Sequence, residues 1–380
     1  MLRKNIYLDN SATSRFHPAE CLHNLSKGIR LCANPGRSSH TSSLSAGMKV
    51  FETRQKLLDF FGAKSGYCVF TKNCTESLNL ALLSSIPENA HVITTATEHN
   101  SMLRPLNFLA KTKNVKLSIL PPSKDGHVPV YRIENAIRSN TYMVCVNHVS
   151  NVNGVVADID AIGKLTARHG IRFLVDGAQS AGHINVNIDS AHVDAFACPA
   201  HKGLLGLQGL GFLIFSDRIK INPLLFGGTG TNSESINHPK DIPEAFEAGT
   251  LAFPLIYALS GSIDYLKKNQ KNIEFDTVKM TNELLYGLKT IKKVKIYTPT
   301  NALTGVVGFN ISTIPSTEVG DTLNQKYGIE VRSGLHCAPL MHNALGTLEQ
   351  GIVRASIGAN NTPKDIEKLL VAVEKIAKKI

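Results

Sequence analysis

From about residue 66 the chain alternates short apolar runs with amphipathic stretches, and this rhythm restricts its fold more than any other feature. The runs fall at residues 67–70 (YCVF), 91–95 (HVITT), 115–120 (VKLSIL), 142–146 (YMVCV), 171–175 (IRFLV), 195–198 (AFAC) and 211–215 (GFLIF). Segments this short and this uniformly apolar read as strands buried on both faces. Helical patterns lie between the earlier ones, so the expected architecture is α/β: a mainly parallel sheet covered by helices on both sides. Such sheets bind ligands beyond the carboxyl ends of their strands, so chemistry is sought in the residues that follow each run.

After residue 250 the pattern changes. Helix-like segments around 256–268 and 275–288 precede strands near 306–311 and 352–356, which fits a smaller α+β domain. The stretch from Thr362 to Lys378 opens with an N-cap threonine, Pro363 at the first helical position and Asp365, and carries lysines at its end, predicting a terminal helix. With 380 residues, 43% of them hydrophobic, the chain can build both a large and a smaller core.

The formal charge of +11 is spread along the chain, with only modest clusters such as Lys292-Lys293 and Lys378-Lys379. That distribution reads as solvated surface rather than a nucleic-acid stripe, and it favours an anionic cofactor or acidic partner. No run of about 18 apolar residues occurs, and the opening MLRKNIYLDNSATSRF is charged where a secretory signal is apolar, so a soluble cytoplasmic protein without a membrane segment is expected. Of seven cysteines no two are spaced C-x-x-C, which argues against a zinc ribbon or disulfide framework. Cys68, Cys145 and Cys198 lie inside apolar runs and read as core; Cys337 stands apart in RSGLHCAPLM.

Three features fall at predicted strand ends. In FTKNCTES a strand ends at Phe70 and a helical pattern begins at Thr75, so free N–H groups near Cys74 to Glu76 suit a phosphate. In FLVDGAQSAGH a buried strand delivers Asp176, followed by Gly177 and Gln179. A carboxylate there needs a cation; a protonated pyridine nitrogen is one, magnesium another. In ACPAHKGLLGLQGLGFL the pair His201-Lys202 follows the next strand.

The order of the motifs YLDNSAT (7–13), NPGRSSHTSS, TEHNSMLRP, HVSNVNG, VDGAQS, AHKG, FEAGT, RSGLHCAPLM and VRASIGANNT resembles the class V aminotransferase family of fold-type I pyridoxal-phosphate enzymes along nearly the whole chain. Within that family the sequence is similar to cysteine desulfurases. The HCAPLM form is nearer to the branch that includes selenocysteine lyase-like enzymes than to the branch with a longer, mobile cysteine loop. The resemblance implies a large cofactor-binding domain at 16–255, with 1–15 and 256–380 forming a small domain that carries the nucleophilic cysteine and the substrate-carboxylate arginine.

Carried over by motif, the resemblance makes Lys202 the Schiff-base lysine, Asp176 the partner of the pyridine nitrogen and Gln179 a donor to the ring hydroxyl. It stacks His99 on the ring, sets Asn151 beside ring and substrate, and gives the phosphate to Thr75 and His201, with Cys74 contributing its backbone. By the same resemblance the chain would form a homodimer in which Thr250 of FEAGT reaches the phosphate site of the other subunit. Arg354 takes the substrate carboxylate by the bidentate contact that suits a guanidinium, and His40 and Arg332 match positions around the substrate. Pro199 stands where many members of that family have Ser or Thr.

The implied chemistry uses Lys202 to remove the Cα proton of cysteine and the Cys337 thiolate to attack the substrate sulfur, giving an enzyme persulfide and alanine. His336, Arg332 and the cofactor charges are expected to favour the thiolate. A small sulfur-acceptor protein would then serve iron–sulfur cluster or thiolated-cofactor assembly. The alternatives are a selenocysteine lyase, an aminotransferase or epimerase that needs no Cys337, and a non-catalytic sulfur-carrier or scaffolding protein.

Overall fold

The structure is a computed structural model and describes residues 5–379. In chain order the first elements are β1 (Ile6–Tyr7), α1 (Ala19–Leu31), α2 (Thr41–Phe60), β2 (Tyr67–Thr71), α3 (Cys74–Ser85), β3 (His91–Thr95), α4 (Asn100–Thr112) and β4 (Lys116–Leu120). Next come α5 (Val130–Ala136), β5 (Thr141–Asn147), α6 (Ile159–Arg168), β6 (Arg172–Asp176), β7 (Ala195–Pro199) and β8 (Gly211–Phe215). The remainder is α7 (Phe253–Thr290), β9 (Val294–Ile296), β10 (Val306–Ile311), α8 (Ser316–Tyr327), β11 (Ile329–Glu330), β12 (Arg332–Gly334), α9 (Pro339–Leu345), β13 (Ile352–Ser356) and α10 (Pro363–Ala377).

All seven apolar runs are strands of one sheet, ordered β2-β8-β7-β6-β5-β3-β4. Only β8 runs against its neighbours; the pairs from β7 through β4 are parallel. The inner strands β5, β6 and β7 carry Val144, Phe173, Leu174, Phe196 and Ala197 with essentially no exposure, which is why their sequence is continuous rather than alternating. Two apolar cores, one on each face, contain this sheet.

The last third forms an antiparallel sheet, β12-β13-β10-β9, while β1 pairs in parallel with β11 and so ties the N-terminal segment to this part of the chain. The two helical segments expected at 256–268 and 275–288 are one continuous helix, α7. Its first half packs Phe253, Ile256, Leu259 and Ile263 into the core of the large sheet, and its second half packs Met280, Leu284 and Leu288 into the core of the small one. The polar stretch between them reads as a break in sequence, but no proline or glycine interrupts the backbone there. Thr362 and Asp365 close a reciprocal capping box at the start of α10, as the sequence signals.

Candidate active site

The crossover from edge strand β2 into α3 passes over Gly211, where a Cβ would lie within 2.5 Å of Asn73, so only glycine admits this approach. Helix α3 begins one residue earlier than expected, with Asn73 as its cap accepting the Glu76 N–H at 2.9 Å. The N–H groups of Cys74 and Thr75 have no carbonyl four residues back within the helix and border the cleft, which makes this end a place for an anion.

The carboxyl ends of β5, β6 and β7 supply Asn151, Asp176, His201 and Lys202 to the same cleft, and the starts of α3 and α4 supply Cys74, Thr75 and His99. Lys202 is half-buried; desolvation pulls its amine below the ordinary lysine range, opposed by the charge of Asp176. Asp176 is 4% exposed and, among the described residues, forms no ion pair within 4 Å. His99 caps α4 by accepting the Ser101 N–H on Nδ1 at 3.1 Å, which puts the ring proton on Nε2, and burial holds the ring below its usual pKa. His201 contacts Thr13 through Nδ1 at 3.1 Å and is held neutral, its pKa lowered to about 4 by burial and by Lys202.

Two amides show a need for a ligand. Gln179 donates one Nε2–H to the Ser11 carbonyl at 3.0 Å and leaves Oε1 without a partner among the described residues, so it has an acceptor to offer a ligand besides its second N–H. Asn151 donates Nδ2–H to the His336 carbonyl at 2.7 Å and leaves Oδ1 equally orphaned. Buried acceptors without partners are costly, by about 1–3 kcal/mol each.

Cys337 is exposed and shares a groove with His99, Thr75 and Ser101, three residues that also line the cleft. His336 and Cys337 both have left-handed backbone, φ 50° and 56°. Conformations of that kind persist only where neighbours impose them. Here the Asn151 amide holds the His336 carbonyl, and the Asn100 N–H holds the Cys337 carbonyl at 2.7 Å. Arg332 Nη2 stands 4.0 Å from the Cys337 sulfur. His336 does not assist, contrary to expectation. It is buried and stacks on His342 with ring centroids 5.6 Å apart, and burial lowers its pKa to about 2, so it carries no charge to offer a thiolate.

Arg332 and Arg354 face each other directly across the β12–β13 pair. Like charges in that register repel, and among the described residues only one has a counter-ion: Arg354 donates to Asp9 Oδ1 at 2.8 Å and to the Asn151 carbonyl at 3.0 Å. Its side chain is 1% exposed, and burial lowers it to about 10. A second anion between the arginines would relieve the repulsion. Asp9 lies in the YLDNSAT motif, but nothing local in the sequence pairs it with an arginine 345 residues away.

His40 and Thr250 lie on the surface, outside the cleft of their own chain. His40 caps α2 by accepting the Ser43 N–H at 3.3 Å.

Glu98, beside His99, is a further buried acid that sequence reasoning missed. Oε1 accepts the Thr95 hydroxyl at 2.6 Å, Oε2 has no partner, and burial raises the carboxyl from 4.5 to about 8. Between those values the folded protein keeps a proton that the unfolded chain has lost, so stability falls as pH rises. The contribution is complete below about 4.5 and gone above about 8. The unfolding midpoint is therefore expected to drop between pH 5 and pH 9 more steeply in the wild type than in Glu98→Gln. Parallel profiles for the two proteins would contradict this.

A lysine and a carboxylate at adjacent strand ends, facing a helix N-terminus, define an α/β cleft that offers a carboxylate to a cation and backbone N–H groups to an anion. The family model for class-V aminotransferases matches residues 6–369, and the chain belongs to that family. A Methanothermobacter thermautotrophicus protein named "Probable cysteine desulfurase" is 34% identical over 99% of this chain and 96% of its own length. A "Cysteine desulfurase" of Wigglesworthia glossinidia brevipalpis is 28% identical over 98% and 93%. Among solved structures, the apo cysteine desulfurase of Thermococcus onnurineus superposes with a TM-score of 0.90 at 33% identity, covering 99% of this chain and 96% of that one.

Proposed function

We propose that this protein is a pyridoxal-phosphate-dependent cysteine desulfurase, converting L-cysteine to L-alanine while its sulfur becomes a persulfide on Cys337. The observation that carries the reading is one cleft holding a half-buried lysine of lowered pKa and a carboxylate with no ion-pair partner among the described residues, with an exposed cysteine at its mouth.

The residues fit the cofactor. Asp176 offers a carboxylate to a protonated ring nitrogen, Gln179 and Asn151 offer acceptors, the α3 N-terminus offers N–H groups to a phosphate, and Lys202 offers the amine that would hold the aldehyde carbon. When bound, the cofactor supplies an electron sink that weakens the bonds at the substrate Cα. Arg354 and Arg332 take the substrate carboxylate, and Lys202 moves the Cα proton. The Cys337 thiolate, near the Arg332 guanidinium, forms an S–S bond to the substrate sulfur as the Cβ–S bond breaks. Two protons returned to the carbon skeleton, at Cβ and Cα, complete alanine.

A homodimer belongs to this reading. Leu44, Met48 and Phe51 form an exposed apolar stripe on α2, each more than half exposed. Nearby, Arg37 binds the carbonyls of Gly228 and Gly249 at 2.8 and 2.6 Å, joining the NPGRSSH and FEAGT loops on one surface. From there Thr250 and His40 would serve the partner's cleft. The persulfide would pass to a small acceptor protein.

The test is product analysis with purified protein, pyridoxal phosphate and L-cysteine. Alanine and sulfide in equal amounts are expected under a reductant. A 2-oxo acid without sulfide would replace the proposal with transamination, and turnover of selenocysteine alone would make the protein a selenocysteine lyase.

A further inference from the structure

The two oxygens of Asp176 are treated differently. Oδ1 accepts the Ala178 N–H at 2.9 Å and the Cys74 thiol at 3.6 Å, whereas among the described residues no hydrogen bond reaches Oδ2. Both side chains are enclosed, Asp176 at 4% and Cys74 at 8% exposure. A carboxylate held by one donor can swing about its terminal torsion, which has a broad minimum; two donors on the same oxygen fix the plane. Here they leave the second oxygen to the cleft.

Cys74 can fill this role because it stays a thiol. Burial, reinforced by the charge of Asp176, pushes it well above the ordinary range, and Cys198 beside it is pushed the same way. It is thus a donor and not a second nucleophile. A thiol is a weak donor, so it orients the carboxylate while withdrawing little charge from the free oxygen.

We propose that Cys74 is a positioning residue whose thiol clamps Asp176 Oδ1, so that Oδ2 is aimed at the ring nitrogen of bound pyridoxal phosphate. This rests on the cofactor proposed above and goes beyond the backbone contact expected of Cys74 from sequence.

The experiment compares two ligands on apoprotein by equilibrium titration: pyridoxal phosphate and its 1-deaza analogue, in which C–H replaces the ring nitrogen. Cys74→Ala is expected to weaken pyridoxal phosphate about three- to tenfold, the scale of one hydrogen bond, and to leave the analogue unchanged. Cys74→Ser, which restores a donor, is expected to recover most of the loss. Equal weakening of both ligands would reduce Cys74 to packing and overturn the proposal, as would no change in either. Wild-type apoprotein that takes up no pyridoxal phosphate would overturn the cofactor reading itself, an outcome visible before any variant is made.

Discussion

Cys337→Ser is expected to release no measurable sulfide from L-cysteine, a loss of about a thousandfold or more, while binding cofactor with an unaltered absorption band. A hydroxyl at this position is nearly isosteric but has neither the acidity nor the sulfur affinity of a thiol, and among the described residues no other cysteine lines the groove at the cleft mouth: Cys21 is buried, and Cys32, the other exposed cysteine, lies at the end of α1 outside that groove. Cys74 and Cys198 are buried and held protonated, Cys68 is pushed up to about 12 by burial, and Cys145 is likewise enclosed. The left-handed backbone of residues 336 and 337 is held by Asn151 and Asn100 rather than by the sulfur, so the loop should keep its shape in the variant. Sulfide production by the variant at even a tenth of the wild-type rate would remove Cys337 from the chemistry.

Glu247→Ala is expected to lower unfolding free energy by about 3–5 kcal/mol, the usual result of stranding one half of a buried ion pair. Arg54 and Glu247 meet through two bonds of 2.7 and 3.0 Å, with side chains only 11% and 5% exposed. Burial works against the Arg54 charge, and Glu247 more than offsets it, holding the guanidinium above its ordinary pKa. Glu247 also accepts the Phe70 N–H at 2.7 Å, occupying a bond that edge strand β2 would otherwise leave open. The guanidinium lies 4.8 Å over the Phe70 ring and donates to the Cys68 carbonyl. Thr250 follows three residues later, so the same variant should bind cofactor more weakly if Thr250 reaches the partner's phosphate. Denaturant unfolding at the wild-type midpoint would contradict the anchoring role, and Arg54→Ala combined with Glu247→Ala should lose less than the sum of the two single changes.

The sheet was legible because its strands are short, its inner strands are apolar on both faces and helical periodicity separates them, all of which are local properties; no residue of edge strand β4 is fully buried, contrary to the burial expected of its run. Val306–Ile311 and Ile352–Ser356 were legible for the same reason. Helix α7 was misread as two because each half is apolar toward a different core, and a change of partner along one helix looks like a change of element. Motif order brought Asp176, Lys202, His99 and Cys337 into view, since each follows a recognisable strand or turn.

What the sequence determined alone is therefore the alternation of elements and the residue types waiting at strand ends, because backbone propensity and apolar period act over a few residues. Tertiary structure decided which side chains meet and in what charge state. It set Arg332 opposite Arg354, gave Arg354 to Asp9, withdrew His336 from the thiol, tied Gln179 to the Ser11 carbonyl and hung Cys74 on Asp176. Those outcomes depend on burial and on contacts between residues as far apart as 345 positions. Desolvation and hydrogen bonding at such contacts are properties of the packed molecule, and no local pattern encodes them.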